Sequence, residues 1–303
     1  MANVLELSQK YSSREKCCEF LEKLHWPDGV ECPKCTMGKD AKVYQLKTRF
    51  KYECSFCRHQ FSVTSGTIFH RSHLPLQKWI IASLLIANAK KGISAKQLER
   101  DLNVTYKTAW YLAHRIRRAM KESSIIRKMS GILEVDETYV GGKSHKVRGR
   151  GAKNKVVVGG VVERGGWVSA KVLENASIKE VCKPIRENAD PEKVTMVCAD
   201  EWPAYNQLRR EFNLRRIYHG YGEYARGIVH TNTIENFWGL FKRGIIGSFH
   251  RISKKYMQLY LDEFAFRYSY TAKGRPLHAK KCNGAFMEKI LANALIRDPA
   301  LKG

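Results

Sequence analysis

The chain has 303 residues, 44% of them apolar and 27% charged, which is enough for one to three domains with real cores. Its 54 Lys and Arg against 29 Asp and Glu give a net charge of +25, which excludes a generic acidic enzyme and points to a polyanionic partner, most simply nucleic acid. The sequence has neither an apolar run of about eighteen residues nor, in its opening MANVLELSQKYSSREK, the basic-then-apolar pattern of a signal peptide, so no membrane partner is expected and the expected location is cytoplasmic, at the nucleoid.

The charge is not a tail effect. Residues 1–130 carry 24 basic and 11 acidic side chains, and residues 131–303 carry 30 and 18, so both halves should feel a phosphate backbone. The first strong local signal is Cys32-Pro33-Lys34-Cys35, followed after eighteen intervening residues by Cys54-Ser55-Phe56-Cys57. A CxxC turn sets two thiolates on one side of a zinc ion, and a second such turn completes a tetrahedron. Between the pairs, 43–46 and 50–53 alternate like short strands, and 61–63 follows the second turn, so residues 1–72 are expected to be a zinc ribbon holding structural zinc on Cys32, Cys35, Cys54 and Cys57. Cys17, Cys18, Cys182, Cys198 and Cys282 lack ligand spacing and are read as small buried hydrophobes.

Residues 73–130 read as helical. An apolar helix is expected over 76–87, then a short amphipathic helix capped by Ser94, then a turn at 102–104 and a longer helix capped by Thr105. Two helices on a tight turn form a helix-turn-helix whose second helix can enter a major groove. Tyr106, Lys107 and Thr108 would stand at its reading end, with Arg115, Arg117 and Arg118 on phosphates. The competing reading is a plain helical hairpin with solvated basic residues.

From Gly131 the pattern turns to a mixed α/β domain. Strands are expected over 132–140, 156–162, 167–173, 194–200 and 215–218, with helices from Ser177 to about Asn188 and from Thr233 to Ile245. Asp136 lies within the first strand and Asp200 at the end of the fourth, where a solitary charge is poorly placed unless a cation compensates it. Glu235 and Lys242 lie seven residues apart on the last helix and share a face. Three carboxylates around two magnesium or manganese ions can activate a nucleophile and stabilise the leaving oxygen of a phosphodiester, with Lys242 positioning the nucleic acid. Glu134 shares the face of Asp136 by strand alternation and, like Glu137 and Glu201, is expected to be solvated or paired. The stretch 143–155, KSHKVRGRGAKNK, has six basic residues and no acid, so Lys143, Lys146, Arg148 and Arg150 are expected to grip phosphates. The C-terminal helices, about 253–272 and 281–296, are expected to cover the sheet.

Three blocks carry a family resemblance. Val135-Asp136-Glu137-Thr138-Tyr139-Val140-Gly141-Gly142-Lys143, Ala199-Asp200-Glu201 with Tyr205, and His230-Thr231-Asn232-Thr233-Ile234-Glu235-Asn236-Phe237-Trp238 through Gly244 resemble bacterial insertion-sequence transposases of the DDE superfamily, in the group with an N-terminal zinc ribbon. The resemblance implies a ribonuclease-H-like catalytic domain over 131–272, followed by a helical tail at 273–303. It implies metal-dependent cleavage and strand transfer of double-stranded DNA by a homo-oligomer holding two element ends. Asp136, Asp200 and Glu235 match the three acids in order, with Asn232, one turn before Glu235, as the alternative third ligand. Two rival functions remain: a catalytically silent, transposase-derived DNA-binding regulator, and a hydrolytic nuclease of the same fold.

Overall fold

In the computed structural model, residues 3–35, 40–46, 50–121, 128–141, 155–272 and 282–296 are described. The chain divides into two units, Met1–Met120 with His278–Gly303, and Lys121–Leu277.

In the first unit, α1 (Val4–Lys10) opens on a capping box in which Asn3 and Glu6 exchange hydrogen bonds, and α2 (Arg14–His25) is capped by Ser13. A three-stranded antiparallel sheet follows, made of β1 (Val43–Leu46), β2 (Lys51–Cys54) and β3 (Gln60–Phe61) in that spatial order. Its small core is aromatic: Trp26 stands edge-on to Tyr52 and Phe61, with ring centroids 5.6 and 6.0 Å away. Helix α3 (Leu76–Asn88) is apolar around most of its circumference and is accordingly buried at Trp79, Ile80, Ala82, Leu84 and Ile86. Helix α4 (Ala95–Leu102) starts on Ser94 and stops at Asn103, whose left-handed φ of 47° turns the chain. Two residues later Thr105 caps α5 (Tyr106–Ala119).

The C-terminal helix Cys282–Leu295 also belongs to this unit, where it packs on α2, α3 and α5 and buries Phe286, Met287, Ile290 and Leu291. The expectation that it covers the catalytic sheet is therefore wrong. Apolar spacing marks a helix face for burial, but it does not say against what.

The second unit is built on a five-stranded mixed sheet. Its strands are β4 (Met129–Gly141), β5 (Lys155–Glu163), β6 (Val168–Val172), β7 (Ala189–Ala199) and β8 (Leu214–Arg216), in the order β6-β5-β4-β7-β8. The β4–β5 and β5–β6 pairs are antiparallel, while β7 runs parallel to β4 and β8 parallel to β7. Strand β7 is longer than its apolar core suggests, because it starts directly after α6 (Ile178–Asn188).

Strand alternation sends Leu133, Val135, Val197 and Ala199 to one face, against Val181 and Ile185 of α6. The other face, with Val140, Val158 and Val162, meets Ile234, Phe237, Trp238 and Phe241 of α7 (Asn232–Gly244) and Leu261 and Phe264 of α8 (Met257–Ala272). Gly160 permits this second layer, since a Cβ there would lie 2.8 Å from Trp238 Cζ2. A two-stranded hairpin, β9 (Ala225–Arg226) and β10 (Val229–His230), leads into α7.

Candidate active site and metal centre

The ribbon brings its four cysteines together. The sulfurs of Cys32 and Cys57 are 3.6 Å apart, those of Cys35 and Cys54 are 3.8 Å apart, and all four lie within 4.8 Å of one another. Tetrahedral zinc with thiolate bonds of about 2.3 Å requires sulfur separations of roughly 3.8 Å, so the set fits structural zinc with side-chain shifts of about 1 Å or less. The Cys54 thiol is drawn down to about 7, chiefly by a hydrogen bond from the backbone of Cys57, which favours the thiolate a metal needs. Among the described residues no second group of three or more His, Cys, Asp or Glu is so tightly gathered.

The carboxylates of the second unit form a looser constellation. Glu134 pairs with Cys198 in the parallel β4–β7 register. Two residues further along each strand this alignment sets Asp136 beside Asp200, just past the end of β7. Burial holds the Asp136 carboxyl well above its ordinary value, and the negative charges of Glu137, Asp200 and Glu235 push it further up. Asp136 thus senses both of the other acids expected to act with it. An all-oxygen, multiply anionic donor set of this kind fits a hard divalent cation.

Asp200 turns the chain by accepting the Trp202 N–H on Oδ1 at 3.0 Å, and its carbonyl accepts Arg216 Nε at 3.1 Å. Glu235, on the first turn of α7, accepts the Thr231 hydroxyl at 2.6 Å and faces His219 Nε2 at 3.4 Å. Lys242, near the end of α7, has its ammonium lowered by burial, with the Asp136 charge pulling the other way and Lys155 adding to the decrease. Asn232 is exposed at the first position of α7.

Two other neighbours are structural. Tyr205 donates to Glu137 Oε2 at 2.9 Å. Glu201 accepts the backbone N–H groups of His219 at 2.8 Å and Gly220 at 3.2 Å, holding the turn that carries His219. Two partners of the site belong to none of the sequence motifs. His219 lacks any spacing motif. Arg164 sits in the β5–β6 turn and donates to Glu134 Oε1 at 2.6 Å, thirty residues away. Glu134 itself is fully buried.

On α5, Tyr106 and Lys107 are exposed and Thr108 is partly so. Arg115 directs its guanidinium to the carbonyls of Ile68 and His70 and lies over the Tyr111 ring, 4.8 Å from its centroid. Arg117 is 2% exposed, which corrects its expected phosphate role: a residue inside the core cannot meet a DNA backbone. Lys143, Lys146, Arg148 and Arg150 lie outside the described residues.

The fold and site therefore define a protein with a cysteine-knuckle ribbon and a mixed α/β domain bearing converging acids. Residues 128–269 match the ISXO2-like transposase domain family, and residues 12–60 match the transposase zinc-ribbon domain family. The chain thus carries a transposase zinc ribbon ahead of an ISXO2-like transposase domain, the arrangement that the sequence resemblance implies. It is 28% identical over 275 residues to a protein of Halobacterium salinarum described as an uncharacterized protein in transposable element ISH50, covering 85% of this chain and 91% of that one. Among solved structures, the Mos1 strand transfer complex is similar at a TM-score of 0.28 and 14% identity over 68% of this chain and 77% of that one. The mariner Mos1 paired end complex with Mg is similar at 0.26 and 13% over 69% and 78%.

Proposed function

We propose that this transposase binds the ends of its insertion sequence and performs metal-dependent strand cleavage and strand transfer through Asp136, Asp200 and Glu235. The observation that carries this reading is the convergence of those charges: Asp200 and Glu235 both raise the Asp136 carboxyl, although they come from a neighbouring strand and from a helix. The strand order β6-β5-β4-β7-β8, with β7 and β8 running along β4, supports the ribonuclease-H-like reading of the domain. When bound, two magnesium or manganese ions supply Lewis acidity to the nucleophile and to the leaving oxygen. Asp136, Asp200 and Glu235 would hold them, and Lys242 would steady the scissile strand. Glu235 is preferred to Asn232 as third ligand because a carboxylate binds these hard cations better than an amide does.

Duplex DNA would be read by α4 and α5 acting as a helix-turn-helix, with Tyr106, Lys107 and Thr108 at the groove and Arg115 setting the adjoining turn. The basic stretch with Lys143, Lys146, Arg148 and Arg150 would grip phosphates near the acids. Two ends must be held together for transfer, so a homo-oligomer on DNA is part of the proposal.

Cleavage and joining of labelled element-end DNA in magnesium test the reading. Asp136→Asn, Asp200→Asn and Glu235→Gln should each lose activity by a factor on the order of 10³ or more while DNA affinity stays near that of the parent. Full activity in Glu235→Gln together with a dead Asn232→Ala would transfer the third-ligand role to the asparagine. Parent-like cutting by all the acid variants would overturn the site.

A further inference from the structure

We infer that Glu134 is the positioning residue of the acid site, a buried anion that sets Asp136, Asp200 and Glu235 against one another without itself holding metal. The inference rests on the acid-site reading above and deepens it. Glu134 has no exposed side-chain surface. Its Oε2 accepts the backbone N–H groups of Thr233 at 2.8 Å and Ile234 at 3.0 Å. Its Oε1 accepts the Thr233 hydroxyl at 2.8 Å and Arg164 Nε at 2.6 Å, and His230 Nδ1 stands 3.2 Å from it.

Arg164 extends the network. Its Nη2 reaches Cys198 Sγ at 3.7 Å and donates to the His230 carbonyl at 2.9 Å, and its Nη1 donates to the Ile228 carbonyl at 2.6 Å. Every element that supplies an acid is therefore held two residues before that acid. Glu134 precedes Asp136 on β4, Cys198 precedes Asp200 on β7, and Thr233 precedes Glu235 on α7. On a strand, two residues return to the same face about 6.6 Å further on. On a helix, two residues rise about 3 Å. The network thus fixes how far each element advances toward the metal site, just beneath the acids.

The helix explains why an anion is needed here. The first N–H groups of α7 have no partners within the helix and form its positive end. Thr231, the residue at the cap position, makes no side-chain capping bond to α7, and Glu134 reaches across from β4 to fill that role. A buried carboxylate is costly unless it is paired and fully hydrogen-bonded. Both conditions are met here, and the strictness of the arrangement is what holds α7 in one place. In Glu134→Gln the side chain still fills the space, but its NH2 faces a donor, either Arg164 or the helix end, so α7 must shift. Second-layer groups of this kind tune metal affinity about 10- to 100-fold.

Mn2+ binding to the zinc-loaded full chain, followed by the electron paramagnetic resonance of free Mn2+, tests this apart from activity. Asp136→Asn should lose the acid-site ion. Glu134→Gln should weaken it about tenfold, and Thr233→Val, which deletes a single hydroxyl donor, about threefold. The Mn2+ concentration for half-maximal cleavage should rise by the same factors, with circular dichroism and end-DNA affinity unchanged. Loss of the ion in Asp136→Asn with parent-like Mn2+ affinity in a folded Glu134→Gln overturns the inference alone. If Glu134→Gln does not fold, parent-like affinity in Thr233→Val does the same. Parent-like binding in Asp136→Asn overturns the acid-site reading and this inference with it.

Discussion

Asp136 is held between two demands. Its position on β4 removes water from the carboxyl, and three neighbouring acids add negative charge, so the folded chain favours the protonated form. The folded value lies above the unfolded one. Its stabilising contribution is thus fully present below about pH 4, the unfolded carboxylate value, and is lost as pH rises through the folded value. In the proposed function a divalent cation would replace the proton and restore the balance. In zinc-loaded protein dialysed free of other metals, Asp136→Asn should be the more stable form at pH 7, by about 1–3 kcal/mol, or several degrees in Tm. Differential scanning calorimetry should show that advantage vanish below about pH 4. Adding Mn2+ should raise the Tm of the parent and leave the variant unchanged; an unaltered parent Tm would count against a metal site at Asp136.

At the scale of elements, α7 lies close over the sheet because β5 has no side chain at Gly160, the residue opposite Asp136 in the β4–β5 register. Trp238 fills that gap and brings the helix bearing Glu235 and Lys242 down with it. Gly160→Ala would force Cβ to within 2.8 Å of the indole, and a large ring inside a packed layer yields poorly. We expect a loss of about 1–3 kcal/mol in urea unfolding and a fall in cleavage larger than the fall in DNA affinity. Equal loss of both would mean that α7 is cover for the sheet and no more. The ribbon is the other element with a single point of failure. Its sheet strands have two to four residues, too few to stand without the metal. Metal analysis should find about one zinc per chain. Cys54→Ser should lose that zinc and open residues 12–60 to protease; a zinc-free yet protease-resistant ribbon would contradict this.

For the whole molecule, charge is the dominant property. With a surplus of 25 positive charges shared by both halves, the proposed association with DNA would be a counterion-release process, steeply dependent on salt. Neutralising Lys143, Lys146, Arg148 and Arg150 together should reduce the slope of log affinity against log salt by about 3 to 4, near 0.9 for each phosphate left without its cation. Fluorescence anisotropy across a salt series measures it, and an unchanged slope would place that stretch away from the DNA.

Sequence alone determined the features that depend on short-range geometry. The four zinc ligands followed from the reach of a CxxC turn, the helix starts from Ser94, Thr105 and Ser177, and the strands around Asp136 and Asp200 from alternation. The two aspartates stood out because a charge inside or at the end of an apolar strand is costly wherever it occurs, whereas Glu235, on a helix, was singled out by the face it shares with Lys242 and by the family resemblance. Tertiary structure decided which surfaces meet. Alternation put Glu134 and Asp136 on one face, but only hydrogen bonds to residues thirty and ninety-nine positions away, Arg164 and Thr233, show that the first is sealed into the core beside α7. The same limit applies to Arg117, which is basic in sequence and buried in the fold, and to the C-terminal helix, whose apolar face joins α2, α3 and α5 rather than the sheet. Periodicity is a property of the local backbone, whereas the choice of packing partner is made by long-range interactions that no short stretch of sequence contains.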